Sequence, residues 1–143
     1  MKKALPFLIV AALTGLIIAG CHKSSGSGST ALTMTNLVGS YKLTASTSTY
    51  GGISYNTYDS IPACEKDDVV KLNPDSTYNY IDAGTSCSPN GSYSGNWFLK
   101  ADSIYIDANG FLVKSFTGTT LILNTTDTLY GIAIPSSETL TKQ

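Results

Sequence analysis

The sequence predicts an all-β fold, an antiparallel up-and-down meander closed into a small barrel of eight or so strands. Three observations carry that prediction. Apolar and polar residues alternate with a period of two in many short runs, clusters of turn formers separate the runs, and nothing from residue 37 onward shows a helical period of useful length. In the first run Leu37, Gly39, Tyr41 and Leu43 alternate with Val38, Ser40, Lys42 and Thr44, a pattern that buries one face of a strand. Similar runs follow at 69–72, 77–81, 93–99, 103–107, 111–116, 119–123 and 128–134. Between them stand Asn73-Pro74-Asp75-Ser76, Pro89-Asn90-Gly91, Asp107-Ala108-Asn109-Gly110, Thr117-Gly118 and Thr125-Thr126-Asp127, all rich in residues that tolerate or enforce turns. With eight or nine short strands, closure into a barrel removes exposed edges more simply than a sandwich does. The alternation selects Tyr41, Leu43, Val70, Leu72, Trp97, Leu99, Ile104 and Ile106 for the interior, and in a barrel this small such side chains can fill the lumen completely.

Ahead of the strands the chain has a different character. Lys2 and Lys3 precede a run from Ala4 to Ile18 that is apolar apart from Thr14, and Ala19-Gly20 supplies the small residues of a cleavage site. Pro6 and Gly15 interrupt the run, which is shorter than the roughly 20 residues a membrane span needs, so an export signal over 1–20 is expected. The sequence Ile18-Ala19-Gly20-Cys21 resembles the lipobox of bacterial lipoproteins, which implies that Cys21 is acylated and becomes the first residue after cleavage. Residues 21–36 are small and polar, centred on Lys23-Ser24-Ser25-Gly26-Ser27-Gly28-Ser29-Thr30, and read as a flexible lipid-anchored tether. The folded domain is then expected over 37–143. His22, the one histidine, falls in the tether beside the lipid and outside the fold.

Charge narrows the function. The chain carries nine basic residues, all lysine, against ten acidic ones; loss of the two lysines in the signal takes the formal charge from −1 to −3. A mildly acidic chain without the bidentate phosphate-binding side chain is a poor nucleic-acid binder. Catalysis has little to work with. A folded domain without histidine cannot assemble a Ser-His-Asp or Cys-His nucleophile system, Glu65 and Asp67 read as a solvated strand end, and Asp107-Ala108-Asn109-Gly110 lacks the downstream glutamate of a calcium loop. No catalytic residue, metal site or cofactor is expected.

Cys64 and Cys87 fit the hairpin pattern. If Asn73-Pro74-Asp75-Ser76 is a four-residue loop, Leu72 faces Thr77, paired residue numbers sum to 149, and Thr85 lies opposite Cys64 with Cys87 two residues further on. A bulge, or widening at the hairpin base, brings the sulfurs within bonding reach. In an oxidising envelope the pair is expected to form a disulfide, with a stabilisation of about 3 kcal/mol in the chain-entropy model. Two free buried thiols are the alternative; a metal site lacks further ligands.

These residues also carry a family likeness. Leu37-Val38-Gly39-Ser40-Tyr41-Lys42-Leu43, Cys64-Glu65-Lys66-Asp67-Asp68 leading to Leu72, Asp75 in the hairpin turn, Cys87, and Gly95-Asn96-Trp97-Phe98-Leu99 together resemble the small lipocalin-like lipoproteins of Gram-negative envelopes. Two departures from true lipocalins stand out: Gly39 to Tyr41 gives Gly-x-Tyr where Gly-x-Trp is usual, and the chain has no arginine to stack on that aromatic from the last strand. The likeness implies a barrel that binds a small apolar or amphipathic molecule, anchored by lipid to the outer membrane with its domain facing the periplasm. The rival expectation is a filled barrel acting as a structural or protein-interaction module of the envelope. The candidate ligand-binding residues are Tyr41, Leu43, Tyr50, Tyr55, Tyr58, Leu72, Trp97 and Leu99. Tyr50, Tyr55 and Tyr58 lie in a segment too long for a hairpin loop, which is either a flap over one barrel mouth or a further strand pair around Gly51-Gly52. Their rings suit a cavity rim or the outer face of the barrel equally well.

Four triplets remain: Asp59-Ser60-Ile61, Asp75-Ser76-Thr77, Asp102-Ser103-Ile104 and Asp127-Thr128-Leu129. They are similar to the O-glycosylation acceptor found on exported proteins of some Gram-negative bacteria, which would make Ser60, Ser76, Ser103 and Thr128 acceptors. The alternative is ordinary turn chemistry, in which the aspartate bonds to nearby backbone.

Overall fold

The computed structural model of the chain describes residues 30–143. The expectations for the export signal, for Cys21 and His22, and for the tether up to residue 29 lie outside the described residues. The rest forms one nine-stranded antiparallel sheet: β1 (Gly39–Tyr50), β2 (Ile53–Asn56), β3 (Val69–Leu72), β4 (Thr77–Ile81), β5 (Tyr93–Lys100), β6 (Ser103–Ile106), β7 (Asn109–Phe116), β8 (Thr120–Leu129) and β9 (Ile132–Lys142). From β3 to β9 each strand pairs with the next in sequence. β9 then pairs with β1, from Tyr41↔Lys142 to Ser48↔Ser136, and this ladder closes eight strands into the predicted barrel. β2 is the additional strand. It turns back on the far half of β1 through Gly51 and Gly52, whose positive φ values of 59° and 80° suit a two-residue hairpin, so the strand pair around those glycines is present. Irregularities at Leu43/Ala45 in β1 and Val113/Ser115 in β7 interrupt the ladders where long strands must curve to close the wall.

One end of the barrel is filled. Leu37, Tyr41, Trp97, Ile104 and Leu121 are essentially without solvent contact, and Leu72, Tyr78, Phe116 and Leu123 complete the buried cluster. The polar atoms in this cluster have partners: Trp97 Nε1 donates to Asn73 O (2.9 Å) and Tyr41 Oη to Leu37 O (2.7 Å). Burial pushes the Tyr41 phenol up to about 12. A single helical turn, α1 (Met34–Leu37), lies across this end, and Thr33 caps it by accepting from Asn36 N (3.2 Å). Lys142, at the end of β9, sets its ammonium 5.6 Å from the centre of the Tyr41 ring and donates to Asn36 O (3.1 Å). A lysine from the last strand thus stacks on Tyr41 in a chain that has no arginine to do so. A Cβ on Gly39 would overlap Lys142 Cε, and Gly39 holds φ at 148°, so two constraints demand glycine there.

Four expectations need correction. The folded body begins before residue 37: Thr30 N donates to Phe116 O (3.1 Å), and Leu32 and Met34 pack against the core, so the C-terminal part of the expected tether belongs to the barrel. One helical turn is too short to leave a period in the sequence. In the β3–β4 hairpin the paired numbers sum to 150, with Leu72 opposite Tyr78, because Ser76 takes a left-handed conformation (φ 68°) and lengthens the loop by one residue. The turn expected at 125–127 lies inside β8, and the strand expected at 128–134 is instead the hairpin that turns at Tyr130 and Gly131. β9 then runs on to Lys142. Pro135 and the polar Ser136-Ser137-Glu138-Thr139 hid this strand, although Pro135 is accommodated because it lies just past the end of the β1–β9 ladder.

The contact between Gly39 and Lys142 predicts coupling. Gly39→Ala should cost about 2 kcal/mol, from the left-handed backbone and displacement of Lys142, and clearly less in a Lys142→Ala background. Urea unfolding midpoints of the two single variants and the double variant check this; strict additivity would contradict it.

Candidate ligand-binding cavity

Beyond the filled end the lumen opens. β1 contributes Leu43, β3 Val70, β4 Tyr80, and β9 Glu138 and Leu140 to a cavity of about 200 Å³, and the chain between β2 and β3 adds Ile61, Glu65 and Asp68. A second hollow, of about 310 Å³, shares Glu65, Asp68 and Tyr80 and continues towards Asp82, Cys87, Pro89, Gly91 and Tyr93. The two meet at one mouth, framed by segment 57–68, which includes the 3-10 turn Tyr58–Ser60, and by the β4–β5 loop.

These loops are tied to the barrel and to each other. Cys64 and Cys87 form a disulfide with their Cα atoms 5.3 Å apart, so the expected bridge is present. It joins the two segments that continue past the base of the β3–β4 hairpin, whose ladder ends at Val69↔Ile81, so the hairpin widens there as expected. Three aspartates hold the β4–β5 loop by its backbone. Asp82 accepts from Cys87 N (3.1 and 3.2 Å) and Gly91 N (3.0 Å), Asp68 from Ala83 N (3.2 Å) and Tyr80 Oη (2.6 Å), and Asp67 from Thr85 N (2.9 Å). A carboxylate is suited to this task because it accepts several N–H bonds at once. Asp68 and Asp82 are buried, each with 8% of its surface exposed. The reading of Glu65 and Asp67 as a solvated strand end therefore fails for Asp67, which is half-buried and fixes the loop from outside any strand.

The electrostatics of the mouth are acidic. Burial, and secondarily the charge of Asp127, hold the Glu138 carboxyl above the usual range. Burial, followed by the hydrogen bond to Asp68, keeps the Tyr80 phenol well above that of free tyrosine. Tyr80 stacks on Tyr93, ring centres 4.9 Å apart and planes 16° apart, and Tyr93 is 56% exposed at the mouth.

The structure separates the eight predicted ligand residues. Leu43 lines the cavity, whereas Tyr41, Leu72 and Trp97 belong to the filled end and Leu99 packs on the core beside them. Tyr50 and Tyr55 stand exposed on the β1–β2 hairpin, and Tyr58 lies in the 3-10 turn with Lys66 Nζ 5.0 Å from its ring centre. The aromatic rim is supplied instead by Tyr80 and Tyr93, and the polar wall by Asp68, Asp82 and Glu138. The correct hairpin register would have found Tyr80, since it pairs with the inward-facing Val70. Glu138 was hidden with the rest of β9. Among the described residues there is no group of three or more His, Cys, Asp or Glu side chains placed to hold a metal. Asp107 turns inward, accepting from Asn96 N (3.0 Å) and Tyr78 Oη (2.8 Å).

The four triplet acceptors are scattered. Ser60 is exposed in the 3-10 turn, Ser76 is half-buried in the β3–β4 loop, Ser103 is half-buried at the start of β6, and Thr128 is exposed in β8. Asp75 accepts from Thr77 Oγ1 (2.7 Å) and Thr77 N (3.0 Å), bonds that lower its carboxyl below the usual range, so that triplet does carry turn chemistry.

An eight-stranded up-and-down barrel, closed at one end by the segment before its first strand and open at the other into a lumen cavity, defines a small lipocalin-type architecture. The chain belongs to the lipocalin-like domain family, whose model matches residues 37–127. The match stops within β8, so the hairpin tip and β9, which closes the barrel, lie beyond it. Comparison with curated proteins and with solved structures returns no match.

Because Glu138 is harder to ionise in the folded state than in the unfolded one, its contribution to stability is full below the ordinary glutamate range and is lost as pH rises through its raised value. Glu138→Gln should therefore be more stable than the parent near pH 7, with the difference vanishing near pH 4, as read from urea midpoints. An unchanged midpoint at pH 7 would contradict the burial assigned to this carboxyl.

Proposed function

We propose that this is a lipid-anchored envelope protein whose lipocalin-like barrel takes up a small apolar or amphipathic molecule at the disulfide-stapled end of its lumen, and that it is a binding protein and not an enzyme. The observation that carries this reading is the cavity above the core, walled by Leu43, Val70 and Leu140 from three strands. Apolar walls with a few convergent polar groups are the usual make-up of a small-molecule site. At about 30 Å³ per water, 200 Å³ has room for on the order of seven waters, which suits a small ligand or the end of a longer one. A purely structural module would need a lumen packed to both ends, and here full burial at Leu72 and Leu123 gives way to the partly buried Val70, Tyr80 and Leu140 that line the cavity. The anchor rests on the sequence Ile18-Ala19-Gly20-Cys21, and with His22 following, the outer membrane and a periplasm-facing domain fit best.

The cavity is tested with the full chain and N-phenyl-1-naphthylamine, an uncharged fluorescent probe. Binding should weaken by about tenfold or more in Leu43→Trp, whose indole fills the cavity, and should persist in Leu112→Trp on the outer wall. Equal binding by both variants would place the probe elsewhere and overturn the lumen site. Separately, Cys21→Ser should move the protein out of the membrane fraction; unchanged fractionation would remove the anchor and leave the cavity standing.

A further inference from the structure

We propose that the lumen selects amphiphiles with a cationic head, such as alkylamines or quaternary ammonium compounds. The alkyl part lies on Leu43, Val70 and Leu140, and the cation sits among Glu65, Glu138 and the Tyr80–Tyr93 pair. This rests on the reading of the lumen as a ligand site and adds the chemical class of what enters it.

Two independent observations converge. The first is uncompensated charge at the cavity mouth, where Glu65 is exposed and Glu138 half-buried. Glu65, Asp68, Asp82 and Glu138 line the two joined hollows, and no lysine lines either of them. Asp68 and Asp82 are held by neutral N–H and O–H donors, which position their charge without cancelling it. Among the described residues, the carboxylates of Glu65 and Glu138 receive no hydrogen bond from the protein. The field is therefore negative where a ligand's head would rest.

The second is aromatic. Tyr80 and Tyr93 present a stacked pair at the same mouth. Elsewhere in the fold an aromatic face takes a protein cation, Lys66 over Tyr58 and Lys142 over Tyr41, but among the described residues none lies over this pair. Tyrosine faces beside carboxylates attract ammonium groups through both the ring quadrupole and the charge. An anionic amphiphile of the fatty-acid kind would bring its carboxylate against four others, so the same wall that favours the cation rejects it.

Isothermal titration calorimetry of the full chain with octyltrimethylammonium, octanol and octanoate, each below its aggregation concentration, tests this. The ammonium compound should bind about tenfold tighter than octanol, and octanoate should give no detectable heat of binding. Glu138→Gln should weaken the ammonium compound by about fivefold and leave octanol unchanged, the size expected for one partly screened charge interaction. Octanol binding as tightly as the ammonium compound, or octanoate binding tightest, would overturn the charge selection while the lumen site stood. No binding by any of the three would overturn the lumen site, and the selectivity with it.

Discussion

Closure of the sheet between β1 and β9 is the constraint on which the rest of this molecule depends. A meander left open would expose two edges and a one-sided apolar face, so the ladder from Tyr41↔Lys142 to Ser48↔Ser136 turns a sheet into an object with an inside. The ladder is secured at the end where it matters most. Lys142, the last residue of β9, reaches over the Tyr41 ring to the carbonyl of Asn36, and Gly39 leaves the space its stem occupies. One lysine thus ties the last strand, the first strand and the capping helical turn together. Its methylene chain packs where its charge also finds acceptors, which suits an amphipathic side chain.

From that closed end the barrel changes character along its axis. Large rings and branched side chains, Trp97, Tyr41, Phe116, Ile104 and Leu121, fill the lumen where α1 covers it. Further up, inward positions pass to Leu43, Val70 and Leu140, which leave space between them, and then to carboxylates. The loops around that space are short of apolar side chains, so their order comes from other sources. A disulfide and the carboxylates of Asp67, Asp68 and Asp82 fix them by their backbone. The acidic mouth thereby serves two ends: three aspartates build the rim, and Glu65 and Glu138 are left facing the cavity.

The sequence disclosed what depends on local alternation and turn chemistry. The strands from β3 to β7 and the buried Tyr41, Leu72, Trp97 and Ile104 were all legible, because their periods are clean and their turns are marked by Gly, Pro, Asn and Asp. The cysteine pairing was legible as well, even with the register wrong by one residue, since a disulfide between loops tolerates such a slip. What stayed hidden was set by long-range pairing. β9 has a proline and a polar run and becomes a strand because β8 and β1 bracket it, and Lys142 acquires its role only when the last strand meets the first. The lining of the cavity was legible only in part, at Leu43 and Val70, for a related reason. The alternation says which side chains point inward, but not whether an inward residue lies at the filled or the open end, and Tyr80 and Glu138 became visible only once the strands were stacked in register.

The division of the lumen into a filled end and an open end is the central claim, and methyl-resolved NMR of the full chain under xenon pressure tests it most directly. Xenon enters dry apolar space without needing any particular recognition chemistry. The account predicts shifts confined to the methyls of Leu43, Ile61, Val70 and Leu140, with those of Leu37, Leu72, Ile104 and Leu121 unmoved. Shifts spread evenly over both groups, or none at Leu43, Val70 and Leu140, would contradict it.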